Sequence, residues 1–413
     1  MGWLASAAHA RWLETETDRL LAFGRASAQG VGAGGAFARQ DDEGRPVDGP
    51  WELWIACRMT HVYALAHLLG RPGSAPLVDH GLAAITGPLA DPEHGGWFEQ
   101  VGRDGVPASS TKSAYPHAFV VLAASSATAA GRPGARELLA SALAVQERRF
   151  WDDEAGMVVE EWDAAFTTLD GYRGVNANMH TVEAYLAAAD VTGERVWLDR
   201  AVRITERVVH GFARENAWRI PEHFDDGWRP LLEYNADTPA HPFRPYGATI
   251  GHWFEWARLT LHARAALEAR GTPAPAWMLD DAVALFDAGV AQGWAVDGAP
   301  GFVYTVDWSG TPVVRERMHW VAAEAIGAAA ALHAATGDAR FEDRYATWWD
   351  YVDAHVIDRT GGSWWHELGT DNAVSRTVWA GKADLYHAVQ ATLLPRLPLT
   401  PALAPALAAG LLR

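Results

Sequence analysis

The stretch GGWFEQVGRDGVP at residues 95–107 recurs, with changes, along this 413-residue chain. Residues 34–46 read GGAFARQDDEGRP, and the two stretches share their second glycine and their proline at matching positions. Four related Gly/aromatic segments follow: GMVVEEWD from residue 156, AWRIPEHFDD from 217, GFVYTVDWSGTP from 301 and GGSWWHEL from 361. The steps between the six centres are 61, 60, 62, 83 and 61 residues. A fixed internal period indicates one supersecondary unit that is repeated, here six times.

The residues between these segments predict two kinds of helix. Residues 51–69, WELWIACRMTHVYALAHLL, are apolar almost all round, whereas residues 135–150 have one apolar and one charged face. A helix that is apolar all round is buried, and an amphipathic helix covers it from outside. The same alternation recurs at residues 176–189 and 195–212. Each Gly/aromatic segment itself predicts a tight β-hairpin.

Six such units predict an all-α fold, a closed (α/α)6 barrel of six inner and six outer helices with short β-hairpins at one end. An open solenoid is the competing arrangement, but its end repeats would need polar capping faces. The first helix, over residues 3–23, and the last, over residues 380–394, look like ordinary members of the set. We therefore expect a closed ring that forms one domain over residues 1–413. The low-complexity tail from residue 398 is expected to dock loosely or to fray.

Composition narrows the classes of function. The net charge of −17 argues against an extended nucleic-acid surface and against contact with anionic membranes. The single cysteine, Cys57, excludes an intrachain disulfide and fits a reducing compartment. The N-terminal region contains Glu14, Glu16 and Asp18 and lacks a signal-peptide pattern, and no apolar run is long enough to span a bilayer. These features predict a cytoplasmic protein, either a monomer or a homo-oligomer, without nucleic-acid or membrane partners.

Polar residues interrupt the apolar pattern of the predicted inner helices in six sets. Members of a set are mostly three or four residues apart, and this spacing places them on one helix face. Five sets begin 19 to 22 residues after their Gly/aromatic segment, so the ring symmetry places them at a similar depth. One buried His or Arg is usually structural, but six sets at one depth favour a shared functional pocket. The sets are Trp54 with Arg58, Tyr115 with His117, Asn176 with His180, His252 with Glu255, Trp320 with Glu324, and Asp384 with His387.

The long 83-residue step contains an additional stretch, DDGWRPLLEYNADTPAHPFRPY, at residues 225–246. Long insertions in compact domains are usually lids or binding loops. This stretch therefore predicts a functional loop, and a surface decoration is the alternative.

The residue types in the predicted pocket suit acid–base chemistry on a small polyhydroxylated ligand. His252 and His387 lie on different helices, and an imidazole accepts and returns protons near neutral pH. Glu255 or Asp384 could orient an imidazole or bind hydroxyls, and Trp faces with Arg or Asn donors suit a sugar. No nucleophile elbow, phosphate loop or dinucleotide fingerprint is recognisable. The chemical alternative is a metal site made from His180, His252, His387 and Glu255, although no local motif such as HExxH supports it.

Five long segments carry a family resemblance: LWIACRMTHVYALA, GVNANMHTVEAYLAAADVTG, GHWFEWARL, GSWWHEL and KADLYHAVQATLLPRLP. With these, nearly the whole chain resembles the N-acylglucosamine 2-epimerase superfamily, in particular its branch of mannose isomerases and sulfoquinovose (aldose–ketose) isomerases. The resemblance implies an (α/α)6 barrel that acts on a free monosaccharide without a metal or another cofactor. The segment RMHWVAAEA at residues 317–325 departs from the double-Trp form of the epimerases, and this favours the isomerase branch.

The resemblance also implies roles for individual residues. His252 in GHWFEWARL and His387 in DLYHAVQ match the family's paired acid–base residues, and Trp379 resembles an aromatic wall of its pocket. Trp320 and Glu324 lie where relatives carry a Trp-containing segment. The candidate substrate-binding residues, including Trp54 from the ring pattern, are Trp54, Arg58, Tyr115, Asn176, His180, Glu255, Trp320, Glu324 and Trp379.

The mechanism that the resemblance implies is proton transfer through a cis-enediol. His252 would assist ring opening, and neutral His387 would move the proton from C2 of the aldose to C1 on the same face. This reaction interconverts D-mannose and D-fructose. If His252 reprotonated C2 from the opposite face, the product would be the C2 epimer, so a mannose 2-epimerase and a sulfoquinovose isomerase are the alternatives within the family. For the latter, Arg58 and Arg244 are possible sulfonate donors.

Two further alternatives come from other classes of function. An (α/α)6 glycoside hydrolase would require two carboxyl groups roughly 5 to 9 Å apart as acid and base. A non-catalytic sugar-binding protein would need no acid–base pair.

Overall fold

The computed structural model describes residues 2–109 and 111–413. In this part of the chain, twelve α-helices alternate between an outer and an inner ring. The outer helices are α1 (Ala7–Gly24), α3 (Ala75–Thr86), α5 (Ala135–Val145), α7 (Arg195–Thr205), α9 (Trp277–Gly293) and α11 (Ala339–Tyr351). The inner helices are α2 (Leu53–Leu68), α4 (Ala114–Ala129), α6 (Val175–Thr192), α8 (Ile250–Ala269), α10 (His319–Thr336) and α12 (Tyr386–Leu393).

The inner ring is closed. Each inner helix packs against the next, and α12 completes the circle by contacting α10, α2 and the first outer helix α1. The inner helices are buried on nearly all sides because their residues are mostly small or apolar, as in the run from Val321 to Leu332 of α10. The predicted closed (α/α)6 barrel is therefore confirmed, and the open solenoid is excluded.

Three outer helices end in a wider helical turn. A π-helical segment continues α5 at Gln146–Phe150, α7 at Glu206–Ala213 and α11 at Val352–Val356. The sequence-predicted helices over 135–150 and 195–212 span the α-helical and π-helical parts together. The apolar faces of the outer helices pack on the inner ring, and Trp197 of α7 and Trp348 of α11 are among their buried aromatic residues.

Short antiparallel strand pairs lie at the N-terminal ends of the inner helices, and five of the six pairs join one repeat to the next. One pair, β4 (Trp151–Asp152) with β5 (Met157–Val158), is a local hairpin. The others are β1 (Trp51–Glu52) with β2 (Gln100–Val101), β3 (Thr111–Ser113) with β6 (Glu161–Asp163), β7 (Arg173–Gly174) with β8 (His223–Phe224), β9 (Ala248–Thr249) with β10 (Thr305–Val306), and β11 (Arg317–Met318) with β12 (Glu367–Leu368). The predicted turns are present as well, as in the bridge between Ala90 and Trp97.

One position recurs in these pairs, directly ahead of the second strand; we call its occupants the rim residues. Their backbone carbonyls accept a hydrogen bond from the first N–H of the preceding inner helix, over 2.8 to 3.2 Å. A helix N-terminus leaves its first N–H groups without helical partners, so each rim carbonyl satisfies one of them. The pairing fixes each rim residue beside the start of an inner helix. The rim residues are Glu99, Glu160, Glu222, Tyr304 and His366.

The opposite end of the ring is covered by the C-terminal tail. Helix α13 (Leu403–Ala408) packs against α2, α4 and α6, and Ala406 and Leu407 are buried. The N–H of Ala402 donates to the Asp190 carboxylate over 2.7 Å. The tail is thus docked and hydrogen-bonded, contrary to the expectation from its low complexity, because its alanines and leucines fill the apolar base. No helix among the described residues is both long and apolar enough to cross a membrane.

Buried ion pairs stabilise the turns at the strand end in two repeats. Lys112 is fully buried and bonds Asp91 at 2.6 Å and the Gly95 carbonyl at 2.7 Å. Lys382 makes the equivalent bonds, to Asp358 at 2.5 Å and to the Gly362 carbonyl at 2.7 Å.

We expect Lys112→Met to destabilise the protein strongly, because Asp91 would be left as an unpaired buried charge. Breaking a buried pair in this way typically costs about 3–5 kcal/mol. The matched control is Arg195→Met, which breaks the exposed pair with Asp199 and should cost about 0.5 kcal/mol or less. Denaturant unfolding of both variants checks this, and equal losses would contradict it.

Candidate active site

A pocket opens at the N-terminal ends of the inner helices and encloses about 710 Å³ including its mouth. Each inner helix contributes side chains from its first two turns, and the segment just ahead of α12 adds Ala383 and Asp384. The six polar sets therefore converge as the ring symmetry predicts. Ten of the eleven sequence-predicted site residues line it: Trp54, Arg58, Tyr115, Asn176, His180, His252, Glu255, Trp320, Trp379 and His387.

The eleventh predicted residue, Glu324, lies behind the pocket wall. Its Oε1 is 2.9 Å from Nδ1 of His387, and its Oε2 accepts from Arg258 Nε over 2.9 Å. The predicted direct contact of Glu324 with a ligand is therefore not supported by its position. The residue lies one helical turn deeper than Trp320, so a ligand meets the Trp320 ring first.

His387 is held with one defined nitrogen towards the pocket. Paired with Arg258, the Glu324 carboxylate can only accept a hydrogen bond, so Nδ1 of His387 carries the proton and Nε2 keeps its lone pair. Burial lowers the pKa of His387 well below 6.5, and the Arg58 charge lowers it further, while Asp384 opposes the shift. The imidazole is therefore neutral at neutral pH.

His252 has a carboxylate partner of the same kind. Its Nδ1 lies 3.0 Å from both carboxylate oxygens of Glu222. Glu222 is the rim residue of β8 and was not anticipated as a site residue. Its position in the repeat could have identified it, because the rim residues at the equivalent position of two other repeats, Tyr304 and His366, line the pocket.

Trp320 is in contact with both of these histidines. Its ring centroid is 5.3 Å from that of His252 and 5.7 Å from that of His387. A Cβ atom on Gly251 would lie 2.2 Å from Cζ3 of Trp320, so a glycine is required there for the indole to approach α8. The absence of a side chain at Gly251 thus allows the Trp320 ring to lie against α8.

Arg58 organises the side of the pocket near α12. It donates to Asp384 over 3.2 Å and to the Tyr115 hydroxyl over 2.9 Å, and it lies over the Trp54 ring at 5.1 Å. Burial alone would raise the pKa of Asp384, but the charge of Arg58 and a hydrogen bond from the backbone N–H of Tyr386 lower this pKa below its usual value. Arg58 and Asp384 therefore form a compensated pair.

The floor of the pocket consists of buried groups with free hydrogen-bonding capacity. Nδ1 of His180 is 3.7 Å from Glu255 Oε1, and Arg258 Nη2 is 3.6 Å from the same oxygen. Both Glu255 oxygens are fully buried and lack hydrogen-bond partners among the described residues. Burial, and then repulsion from Glu324, raises the pKa of Glu255 well above 4.5, and burial lowers that of His180 well below 6.5.

Two further histidines, His319 and His366, line the pocket and were not anticipated from the sequence. Their rings stack at 3.9 Å with an interplanar angle of 16°. Burial lowers the pKa of His319 to about 4 and that of His366 well below 6.5, so both are neutral hydrogen-bonding groups. His117, in contrast, lies away from the pocket, where it bonds the backbone at Ser113 and Trp97.

The inserted stretch at residues 225–246 contributes three residues to the lining of the pocket, as a binding loop would. Pro242, Phe243 and Pro245 belong to the lining. The Phe243 ring makes edge contacts with Trp54 and Trp379, at centroid distances of 6.0 and 5.1 Å. The alternative, that this stretch is a surface decoration, is therefore disfavoured.

Two groups of side chains have the composition of a metal site. The first is His180, Glu183 and Glu255, and the second is Glu255, Glu324 and His387; within each group, the potential ligand atoms lie within 4.8 Å of one another. Both groups share Glu255, beside which the Arg258 guanidinium already supplies a positive charge. Glu183 is bonded to the Tyr386 hydroxyl and to Gln390. These fixed partners fit a network of hydrogen bonds better than they fit a metal ion.

The fold and site define an enzyme built on a closed helical barrel, with a polar pocket at one end of its inner ring. The sequence profile of the N-acylglucosamine 2-epimerase (GlcNAc 2-epimerase) family matches residues 35–391. The chain belongs to this family.

Individual relatives extend this finding to the whole chain. The chain is 54% identical over 408 residues to a D-mannose isomerase from Thermobifida fusca, covering 98% of each sequence. It is 51% identical over 407 residues to a D-mannose isomerase from Pseudomonas cannabina pv. alisalensis, covering 98% and 97%. A crystal structure of a D-mannose isomerase superposes with a TM-score of 0.85 at 29% identity, covering 92% of this chain and 96% of that one.

We expect Gly251→Ala to displace Trp320, because the added methyl group would overlap the indole. Overpacking of this kind costs about 1–3 kcal/mol. The control is Gly211→Ala, whose Cβ would meet nothing closer than 3.8 Å. Thermal unfolding and near-UV circular dichroism test this: wild-type behaviour of Gly251→Ala would show that the close approach is unimportant.

Proposed function

We propose that this chain is an aldose–ketose isomerase that interconverts D-mannose and D-fructose by proton transfer through a cis-enediol. The observation that carries the proposal is a pair of pocket imidazoles, His252 and His387, each bound at Nδ1 by a buried glutamate. The sequence identity of 54% and 51% to two D-mannose isomerases, over 98% of the chain, supports the choice of substrate. We further propose that residues 1–413 form one domain.

In this mechanism the pocket first binds the sugar and opens its ring. Aromatic walls at Trp54, Trp320 and Trp379 suit the apolar faces of a pyranose, and the unpartnered oxygens of Glu255 suit its hydroxyls. We propose that His252, with Glu222 at its Nδ1, exchanges a proton with the ring oxygen or O1.

His387 is the proposed base at carbon. Its neutral Nε2 removes the proton from C2 of the open aldose and returns it to C1 on the same face, while a second group moves a proton between O1 and O2. The intermediate enediol is stabilised by donors such as Arg58 and the neutral imidazoles of His180 and His319. The products are the ketose and the regenerated imidazole.

The alternatives within the family differ from this proposal in identifiable ways. A C2 epimerase would use the same enediol but would reprotonate C2 from the other face. A sulfoquinovose isomerase would need a free cation for the sulfonate, but Arg58 is paired with Asp384 and Arg244 with Glu161. A neutral sugar is therefore the better fit.

A glycoside hydrolase is also a weaker fit. Two carboxyl groups, Glu255 and Asp384, line the pocket, and Asp384 is bound to Arg58, so Glu255 has no second free carboxyl group in the lining as a partner. Independence from metal, a cytoplasmic location and the absence of nucleic-acid or membrane partners stay predictions from the sequence, as does the choice between monomer and homo-oligomer.

Incubation of the purified protein with D-mannose in D2O, followed by NMR, tests the proposal. Fructose as the first product is expected, with deuterium at C1 or with the C2 proton transferred internally. Glucose appearing first would instead establish epimerisation. Activity should be unchanged by EDTA, and inactivation that added metal reverses would overturn metal independence.

We expect Glu324→Gln to lower kcat by about 10²-fold or more, the scale for losing a general base. The amide can donate to Nδ1 of His387, so the proton would move to Nε2 and the base would be lost. His387→Asn should produce a loss of the same order. The control is Glu93→Gln, in the exposed pair with His94, and it should retain full activity. Steady-state kinetics measure the effect. A kcat near the wild-type value for Glu324→Gln would show that Glu324 does not set the proton position on His387.

We expect Arg58→Gln and Asp384→Asn to shift the acid limb of kcat/KM in opposite directions. Activity is expected to fall as the pH is lowered, because His387 then becomes protonated. The Arg58 charge lowers the pKa of His387 and Asp384 raises it, so loss of Arg58 should move the limb to higher pH and loss of Asp384 to lower pH. The pH dependence of kcat/KM measures this independently of any loss in affinity. A shift of both variants in the same direction would contradict the assignment of the limb to His387.

A further inference from the structure

A second cavity lies beside the catalytic pocket, between the strand pairs and the inserted loop. It encloses about 1020 Å³ including its mouth, and we call it the side chamber. Trp54, Tyr115, Asn176 and Phe243 line both cavities, so the two cavities adjoin. The side chamber has no part in the mechanism proposed above.

The rim residues show that the side chamber is built in the same way as the catalytic pocket. Tyr304 and His366 line the catalytic pocket, and Glu222 binds the catalytic-pocket residue His252. The two remaining rim residues, Glu99 and Glu160, line the side chamber instead. The same backbone register thus presents polar side chains to both cavities, and in the side chamber these side chains have no assigned role.

Three buried acceptor atoms in the side chamber have no hydrogen-bond partner within residues 2–109 and 111–413. They are Oε2 of Glu160, Oε1 of Glu99 and Oδ1 of Asn176. Glu160 is only 8% exposed, so its Oε2 is a buried polar atom without a hydrogen bond. Buried polar atoms normally have partners, and an unpaired group in a cavity indicates a ligand or water that donates to it.

The charges of the side chamber favour a neutral donor. Its two cations are already used: Arg39 binds Glu52, and Arg244 lies 3.2 Å from Glu161 and over the Tyr172 ring at 4.2 Å. An anion would therefore find no free cation and would meet Glu99 and Glu160. An added cation would meet the Arg244 charge, which already acts on Glu160. Burial raises the pKa of Glu160 to about 7 and raises that of Glu99, consistent with uncharged hydrogen bonding.

We propose that the side chamber is a second sugar-binding site, which takes a free neutral monosaccharide whose hydroxyls donate to Glu160, Glu99 and Asn176. Tyr172, Tyr115 and Trp54 supply the aromatic surface that such a ligand requires. The same hydroxyl chemistry could come from a sugar unit attached to the substrate. A separate molecule is the simpler ligand, because Glu99 and Glu160 line the side chamber and not the catalytic pocket. The choice of D-mannose as the sugar that binds in the side chamber rests on the proposed function.

Equilibrium dialysis of labelled D-mannose against His387→Asn protein tests this proposal without turnover. We expect two bound sugars per chain. Adding Glu160→Met should reduce this number to one, and the apolar side chain should be tolerated because the carboxyl oxygen that it replaces is unpaired. Gly174→Ala is a second variant that narrows the chamber beside Glu160, since its Cβ would lie 3.0 Å from Glu160 Oε2 and from the Tyr172 hydroxyl. Glu93→Met, at an exposed position, is the control and should leave two.

The outcomes separate this proposal from the proposed function. One sugar per chain, unaffected by Glu160→Met and Gly174→Ala, would overturn the second site and leave the catalytic pocket as the mannose site. No binding would overturn both for this sugar. If mannose binds once, and a disaccharide with mannose at its reducing end binds in a manner that Glu160→Met weakens, the chamber takes an attached unit and the free-sugar proposal is wrong. Full kcat in Glu160→Met with His387 intact is expected, because Glu160 lies outside the catalytic pocket.

Discussion

The hydrogen bond between each rim carbonyl and the first N–H of the preceding inner helix organises both the ring and its site. It joins neighbouring repeats at five places around the strand end of the ring. It also fixes where each inner helix begins, and with it the direction in which the side chains of the first two turns point. The catalytic pocket and the side chamber both result from this one repeated contact, because rim side chains and helix side chains meet at the same level.

Charge compensation explains why such a polar site is compatible with a buried inner ring. Arg58 pairs with Asp384, and Arg258 bonds Glu324 and lies near Glu255. An isolated charge at this depth would be costly, whereas paired charges with additional hydrogen bonds are tolerated. The same pairs tune the site: they leave His387 neutral, with Nδ1 bound by Glu324 and Nε2 free.

Much of the fold and site was predictable because both follow the repeat. The period and the alternation of buried and amphipathic helices predicted the closed barrel, and the depth of the polar sets predicted ten of the lining residues. Prediction failed where burial and register depend on the neighbouring repeat. Glu324 lies one turn too deep, His117 turns to the local backbone, and Glu222, His319 and His366 reach the site through strand pairing between repeats. Local sequence gives no measure of that pairing.

The architecture follows from the sequence alone, because apolar helix faces must be buried and six similar units with ordinary ends close into a ring. The family and the two proposed acid–base histidines also follow from it, because their segments are distinctive. The folded chain was needed to show which glutamate binds which imidazole, which carboxylates are paired with arginines, and which polar atoms of the described residues lack partners. These properties depend on distances between residues as far apart as Arg58 and Asp384, and such distances exist only after the ring has closed.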